Sequence, residues 1–331
     1  SITGGSTINL MKAESPGPSV SRLVPHVKDT AKILYKIYIF IIVTEIILLC
    51  AFGMPLFDSL TLSFGTVGTG GFGILNSSIA DYSPALQIII TVFMILSGVN
   101  YVAYFYLTTR QIKEIFHVEE IRVYFGVILA SSIFIAFNIR SLYPTLGECF
   151  RHAFFQVGSI ITTTGYATTD FDLWRETSKT ILVLLMFIGA CAGSTGGGLK
   201  ISRLLILCKS IPKQLSLVIH PREIKVIKMD GKAIEHQVMR ATNVYLAIYF
   251  FIILGSTLFV SVDNFDFTTN FTAVVSALNN IGPGLAGVGP TRNFGAFSVF
   301  SKFVLMFDML AGRLELYPLL ILFMPSLWRR K

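Results

Sequence analysis

Charge is what this chain has least of. Only 14% of its 331 residues are Asp, Glu, Lys or Arg, against 53% hydrophobic, and the mean hydropathy is +0.68. Soluble domains carry roughly 25% charged residues, so this balance excludes a soluble globular domain. Cysteine is scarce as well. Cys50, Cys149, Cys191 and Cys208 have no metal-ligand spacing and mostly lie in or beside apolar runs, which reads as free buried thiols. The five histidines are scattered through loops and flanks and suggest no metal site. There is no nucleophile paired with a base, no carboxylate dyad and no ligand cluster, so an enzyme has no footing here. The glycine-rich "GSTGGGLK" lacks the contiguous Gly-Lys-Ser/Thr of a phosphate loop, because Leu199 separates Gly198 from Lys200. The opening "SITGGSTINL" has neither a cleavable leader pattern nor an initiator Met, and reads like a chain entered in the middle.

What the chain does have is long apolar runs. Six of them, over 33–52, 84–107, 122–139, 179–208, 238–261 and 298–324, approach the roughly 20 residues that carry a helix across a bilayer. An all-α integral membrane protein of six spans is the reading. Most of the 27 Lys and Arg fall in 1–36, 108–122, 200–240 and the tail "WRRK". Arg140, Arg151, Arg175, Lys179, Arg292 and Lys302 fall on the opposite loops, and Arg313 within a span. The basic set is therefore expected to be cytoplasmic, and the net charge of +8 needs no nucleic acid as partner.

The loops on the less basic side repeat a pattern. "MPLFDSLTLSFGTVGTGGFGILNSSIADYS", "YPTLGECFRHAFFQVGSIITTTGYATTDFDLW" and "FDFTTNFTAVVSALNNIGPGLAGVGPTRN" each start with an amphipathic stretch too short to cross a membrane. Each then breaks into a Gly/Thr/Asn segment. Alignment on a glycine followed by Phe, Tyr or Pro brings Gly71, Gly165 and Gly282 into register, 94 and 117 residues apart, so the chain holds three units of span, half-helix, loop and span. Irregular backbone at membrane depth is tolerated only where it is buried in protein or lines a water-filled cavity. Backbone carbonyls can replace the hydration shell of a potassium ion, and glycine permits the angles that aim them. Half-helices whose C-terminal ends face the cavity favour a cation there. The segments Gly68, Thr69, Gly70, Gly71; Thr162, Thr163, Thr164, Gly165; and Asn279, Asn280, Ile281, Gly282 are therefore expected to form a cation selectivity filter. Potassium is expected at the carbonyls of Thr163, Thr164, Gly165, Gly70 and Ile281.

Two further features lie within the spans. Five glycines among residues 189–199 should break the fourth span at mid-membrane. The stretch Gly189, Ala190, Cys191, Ala192, Gly193, Ser194, Thr195, Gly196, Gly197, Gly198 is either a movable loop beneath the filter or a close-packing interface of small residues. Arg313, in "FDMLAGRLELYP", either approaches the pore, repelling cations or holding that loop, or forms a structural ion pair with Asp308 or Glu315. Glu45, alone in the first span, is ambiguous, and the basic stretch "KQLSLVIHPREIKVIKMDGK" suits either a regulatory partner or the lipid surface.

"GTGGFGI", "TTTGYATTDF", "NNIGPGL", "GACAGSTGGGLK", "DMLAGRLELYP" and "MKAESPGP" together resemble the TrkH/KtrB potassium transporters of bacteria and archaea. The resemblance runs over essentially the whole chain. It implies a potassium-channel-like fold, with four span–pore-helix–span units around one cation pore, in the cell membrane of a prokaryote. It also implies that Gly71, Gly165 and Gly282 are the critical filter glycines, that Gly189–Gly198 is an intramembrane gating loop and that Arg313 is a pore-blocking arginine. A homodimer with a cytosolic TrkA/KtrA-like regulatory subunit is implied too, with nucleotide bound only by that partner and no cofactor on the chain itself. The unit boundaries expected are 1–32 (amino-terminal segment), 33–107 (second pore unit of the family's four), 108–121 (linker), 122–208 (third unit, with the broken span), 209–237 (basic loop) and 238–331 (fourth unit and tail). The family's "MKAESPGP" follows its first unit, so the chain is expected to be the second to fourth units of a longer transporter. The alternative function is a secondary transporter of another monovalent cation or small solute built on broken helices.

Overall fold

A computed structural model describes residues 27–221, 226–314 and 316. The segment "MKAESPGP", Glu315 and the end of the last apolar run lie outside the described residues. The chain is helical apart from a two-stranded hairpin, β1 (Lys228–Met229) and β2 (Lys232–Ala233). In chain order the first unit comprises α1 (Val27–Ala51), α2 (Leu56–Val67), α3 (Pro84–Ser97) and α4 (Tyr101–Thr108). A short α5 (Ile112–His117) leads to α6 (Glu119–Asn138), α7 (Leu146–Ile161), α8 (Glu176–Ile188) and α9 (Ile201–Ile219). After the hairpin come α10 (His236–Val260), α11 (Phe267–Leu278) and α12 (Val299–Arg313).

Among the described residues three helices are long and apolar enough to cross a membrane: 31–51 of α1, all of α6, and α10 with its extension to Asp263. Their outward faces carry Phe40, Ile47, Phe134, Phe251 and Leu254 in the open, as hydrocarbon rather than water permits. The apolar run 84–107 reads as a single span, yet α3 and α4 meet at 94°. The cause is local and tertiary at once. Gly98 caps α3, the Asn100 side chain accepts the N–H of Val102 at 2.9 Å to start α4, and the freed backbone bonds elsewhere. The Gly98 carbonyl accepts the N–H of Cys191 at 3.0 Å, and the N–H of Tyr101 donates to the Gly193 carbonyl at 3.1 Å. The run 179–208 breaks where its glycines fall, between α8 and α9. The two interruptions thus hydrogen-bond each other.

α2, α7 and α11 are the half-helices. Their 12, 16 and 12 residues span ~18 to 24 Å at 1.5 Å per residue, less than a bilayer core. Each packs between the helices before and after it: α2 against α1 and α3, α7 against α6 and α8, α11 against α10 and α12. Two start on side-chain caps, Thr145 accepting from Glu148 N–H at 3.2 Å and Asp266 from Thr269 N–H at 3.0 Å. The Thr269 hydroxyl and amide hold the Asp266 carboxyl below the usual carboxylate range. The core of the second and third units is one continuous apolar cluster, while the first unit packs in two smaller clusters.

One of those smaller clusters also contains Phe155 and Tyr166 from the second unit. Tyr166 is fully buried, and its hydroxyl reaches the carbonyls of Leu62 at 3.3 Å and Phe72 at 3.4 Å in the first. A Cβ on Gly65 would overlap that hydroxyl. Gly65→Ala is therefore expected to lower thermal stability by several degrees, equivalent to about 1–3 kcal/mol of overpacking. Gly126→Ala, which meets nothing within 4 Å, is the control that should leave the melting temperature unchanged in a detergent-solubilised scan.

Candidate functional site

The C-terminal ends of α2, α7 and α11 continue into three segments with the same unusual backbone. The residues that end the helices, Gly68, Thr162 and Asn279, have right-handed φ of −74, −82 and −92°. The next residues, Thr69, Thr163 and Asn280, turn to φ of 50, 58 and 56°, a region non-glycine residues enter rarely. Two positions further, Gly71, Gly165 and Gly282 stand at 66, 88 and 112°.

Hydrogen bonds repeat in step. Gly70 and Gly71 donate N–H to the Gly65 carbonyl at 2.8 and 3.2 Å, and Thr164 and Gly165 to that of Ser159 at 2.9 and 3.3 Å. Ile281 donates to the Ser276 carbonyl at 2.9 Å, and Gly282 to the Ser276 hydroxyl at 3.0 Å. The amides are thus consumed by the half-helix behind each strand. No basic residue occupies the last turn of any half-helix, so their partial negative ends are left for a ligand.

The strands stand side by side. A Cβ on Gly71 would overlap the carbonyl oxygen of Thr164, and a Cβ on Gly165 that of Ile281. Any side chain at 71 or 165 would take the place of a neighbouring strand's carbonyl. Gly282 has open space on the corresponding side. Thr162, Thr163, Thr164 and Asn279 are fully buried, and the Tyr249 hydroxyl holds the Asn279 side chain at 2.9 Å.

The interruption between α8 and α9 lies directly against these strands. Gly197 N–H donates to the Thr163 hydroxyl at 2.6 Å, and the Thr69 hydroxyl donates to the Thr195 carbonyl at 2.9 Å. A Cβ on Gly196 would press on the Thr162 carbonyl at 2.9 Å, and one on Gly197 on that of Asn279 at 2.7 Å. The interruption therefore touches all three strand segments, which the reading as a mere small-residue helix interface does not require. Gly189, Gly193 and Gly198 take φ of 71, 70 and 78°, Ala190 and Cys191 are fully buried, and Ser194 hydrogen-bonds the Cys191 carbonyl at 2.6 Å.

Arg313 donates to the Thr195 carbonyl at 3.2 Å and Lys200 to the Gly196 carbonyl. Asp308, one suggested partner of Arg313, is buried and accepts instead from Ser256 on α10 at 2.7 Å. Glu45 is fully buried in α1. Three residues that sequence reading passed over also shape the site. The Glu120 carboxylate accepts the N–H of Ala192 at 2.7 Å, Asn100 starts α4 beside Gly193, and Gly312 lets α12 approach the Leu278 carbonyl. "EE" at the head of a span reads as an ordinary acidic first turn, so nothing local marked Glu120.

Half-length helices that return as glycine strands to one centre, between membrane-crossing helices, define a multi-pass pore-loop transport protein of the cell membrane. Comparison with known proteins names the group. The chain belongs to the family described as "TrkH: Cation transport protein", which it matches over residues 5–330. It is 35% identical over 333 residues to the Trk system potassium uptake protein TrkH of Salmonella typhimurium, covering 99% of this chain and 68% of that protein. Identity to the protein of the same name from Escherichia coli K12 is also 35%, with the same coverage. The crystal structure of the potassium transporter TrkH from Vibrio parahaemolyticus superposes with a TM-score of 0.85 at 32% identity, covering 94% of this chain and 67% of that one.

Proposed function

We propose that this chain moves potassium into the cell through the pathway bordered by its three glycine strands. The observation that carries the reading is the shared backbone of those strands, together with the apposition of Gly71 and Gly165 to carbonyls of the next strand. Amides turned back onto the half-helices leave carbonyls and helix C-terminal ends as the free polar groups, the chemistry that binds a dehydrated monovalent cation. The filter assignment follows: carbonyls of Gly70, Thr163, Thr164, Gly165 and Ile281 take the ion. A fourth strand standing beside Gly282 closes the ring.

The interruption at 189–198 is the gate in this reading, since its backbone abuts every strand segment and Arg313 and Lys200 bring positive charge to its carbonyls. The unit boundaries at 108–121 and 209–237 follow the repeats, and the basic segment 209–237, which holds the second half of α9 and the hairpin, is the docking face for a cytosolic regulatory subunit that binds the nucleotide. A secondary transporter built on broken helices is less well supported, because its single midplane site has no counterpart in three strands at half-helix ends.

Rubidium uptake into proteoliposomes with a negative interior, competed by potassium and by sodium, tests the function. The full-length transporter is expected to take up rubidium, with potassium competing at least tenfold better than sodium. Equal competition by the two ions would remove the filter assignment.

A further inference from the structure

Two helices that meet at the interruption, α6 and α9, have no side-chain cap of their own. α6 follows Val118 and α9 follows Lys200, and neither residue's side chain caps its helix. Lys200 even stands at φ 74°, a conformation more natural to glycine. Both caps arrive from other elements. Asp230, in the turn of the β1–β2 hairpin, accepts the N–H of Glu119 at 2.7 Å and so caps α6. Glu120, the next residue, is 3% exposed, and its Oε1 accepts two amides: Ala192, inside the interruption, at 2.7 Å, and Ser202, in the first turn of α9, at 3.0 Å.

A carboxylate is suited to that place. It accepts both bonds and stands at the partially positive end of a helix. Lys209 of α9 closes the circuit, donating to the Glu119 carboxylate and to the Lys228 carbonyl of the hairpin, the latter at 2.8 Å. Hairpin, α6 and α9 are thus tied in a ring of caps, and one carboxylate in that ring holds both the interruption and the first turn of the helix that follows it.

We propose that the 228–233 hairpin is a handle on the basic face of the protein, that α6 is the rigid link and that Glu120 is the positioning residue that fixes the intramembrane loop. A protein partner that moved the hairpin would move the loop without touching the pore. The consequence for conduction rests on the proposed gate, whereas the mechanical linkage does not.

Amide hydrogen exchange in the full-length protein in nanodiscs separates the two. Asp230→Gly removes the carboxylate and suits the φ of 50° there, while Asp230→Asn keeps the acceptor. Exchange within 190–202 is expected to rise about tenfold in Asp230→Gly and in Glu120→Ala, the scale of one lost hydrogen bond, and to stay near wild type in Asp230→Asn and Glu120→Gln. Combining Asp230→Gly with Glu120→Ala should add nothing to Glu120→Ala alone.

Wild-type exchange at 190–202 in Asp230→Gly, with the hairpin itself loosened, would overturn the handle, as would effects of the two substitutions that multiply. Should Glu120→Ala not fold, the Asp230→Gly and Asp230→Asn pair decides. Rubidium uptake in the same variants reads the gate. Faster exchange with unchanged uptake would keep the handle and remove the gate.

Discussion

Gly165→Val is expected to abolish potassium-selective uptake, lowering rubidium influx by more than about tenfold and erasing the preference for potassium over sodium. Two costs act at once. At φ 88° an L side chain is strained by about 1–2 kcal/mol, and its Cβ must displace the Ile281 carbonyl of the neighbouring strand. A carbonyl moved by even an ångström no longer replaces water around the ion, so selectivity suffers before the fold does. Position sets a graded expectation. Gly71→Ala should behave like Gly165→Ala, since it meets the Thr164 carbonyl in the same way. Gly282→Ala is strained at its φ of 112° and stands on the side that the proposed fourth strand closes, so its loss should match theirs. Gly73→Ala, with contacts no closer than 3.7 Å, should be silent. Retained potassium preference in Gly165→Val would sink the filter.

The second large effect is expected from Arg313→Ala, which should raise cation flux by about tenfold. A charge-assisted hydrogen bond is worth about 1.5–3 kcal/mol, and the one from Arg313 ends on the Thr195 carbonyl, the same oxygen that Thr69 of the first strand holds. Loss of the guanidinium therefore loosens the interruption and, in the proposed pathway, removes a positive charge beside the strands. Arg313→Lys separates these roles. If charge dominates, Lys keeps flux low; if the fixed planar fork dominates, Lys behaves more like Ala. Initial rates of rubidium uptake at matched protein density provide the measurement, and a strictly wild-type rate in Arg313→Ala would leave the residue a structural role only.

Part of the site was legible in the sequence because its signals are local. Gly71, Gly165 and Gly282 each follow an amphipathic stretch too short for a span, and the structure brings two of them against neighbouring carbonyls. The glycines of 189–198 broke the span where composition said they would. The second break, at Gly98–Asn100, is hidden by the apolar run around it, although "SGVN" carries a helix stop and a helix start. An apolar average over 84–107 outweighed two small residues. Nor could spacing choose a partner for Arg313. Asp308 lies one and a half turns away on the same helix, but its carboxylate is turned to Ser256.

Sequence by itself determined the membrane class, the threefold repetition and the positions where backbone must leave the helix, since hydropathy, period and glycine content act within a few residues. Only the tertiary structure decided the order in which the strands stand, the interlocking of the two breaks and the capping of α6 and α9 by Asp230 and Glu120. The reason is physical. Buried backbone at membrane depth must find a hydrogen-bond partner, but any donor or acceptor of the right shape will serve, and the chain supplies it from residues up to 126 positions away, as the Thr69 hydroxyl donates to the Thr195 carbonyl. Such a need is visible in the sequence, whereas the residue that meets it becomes visible only once the helices are packed.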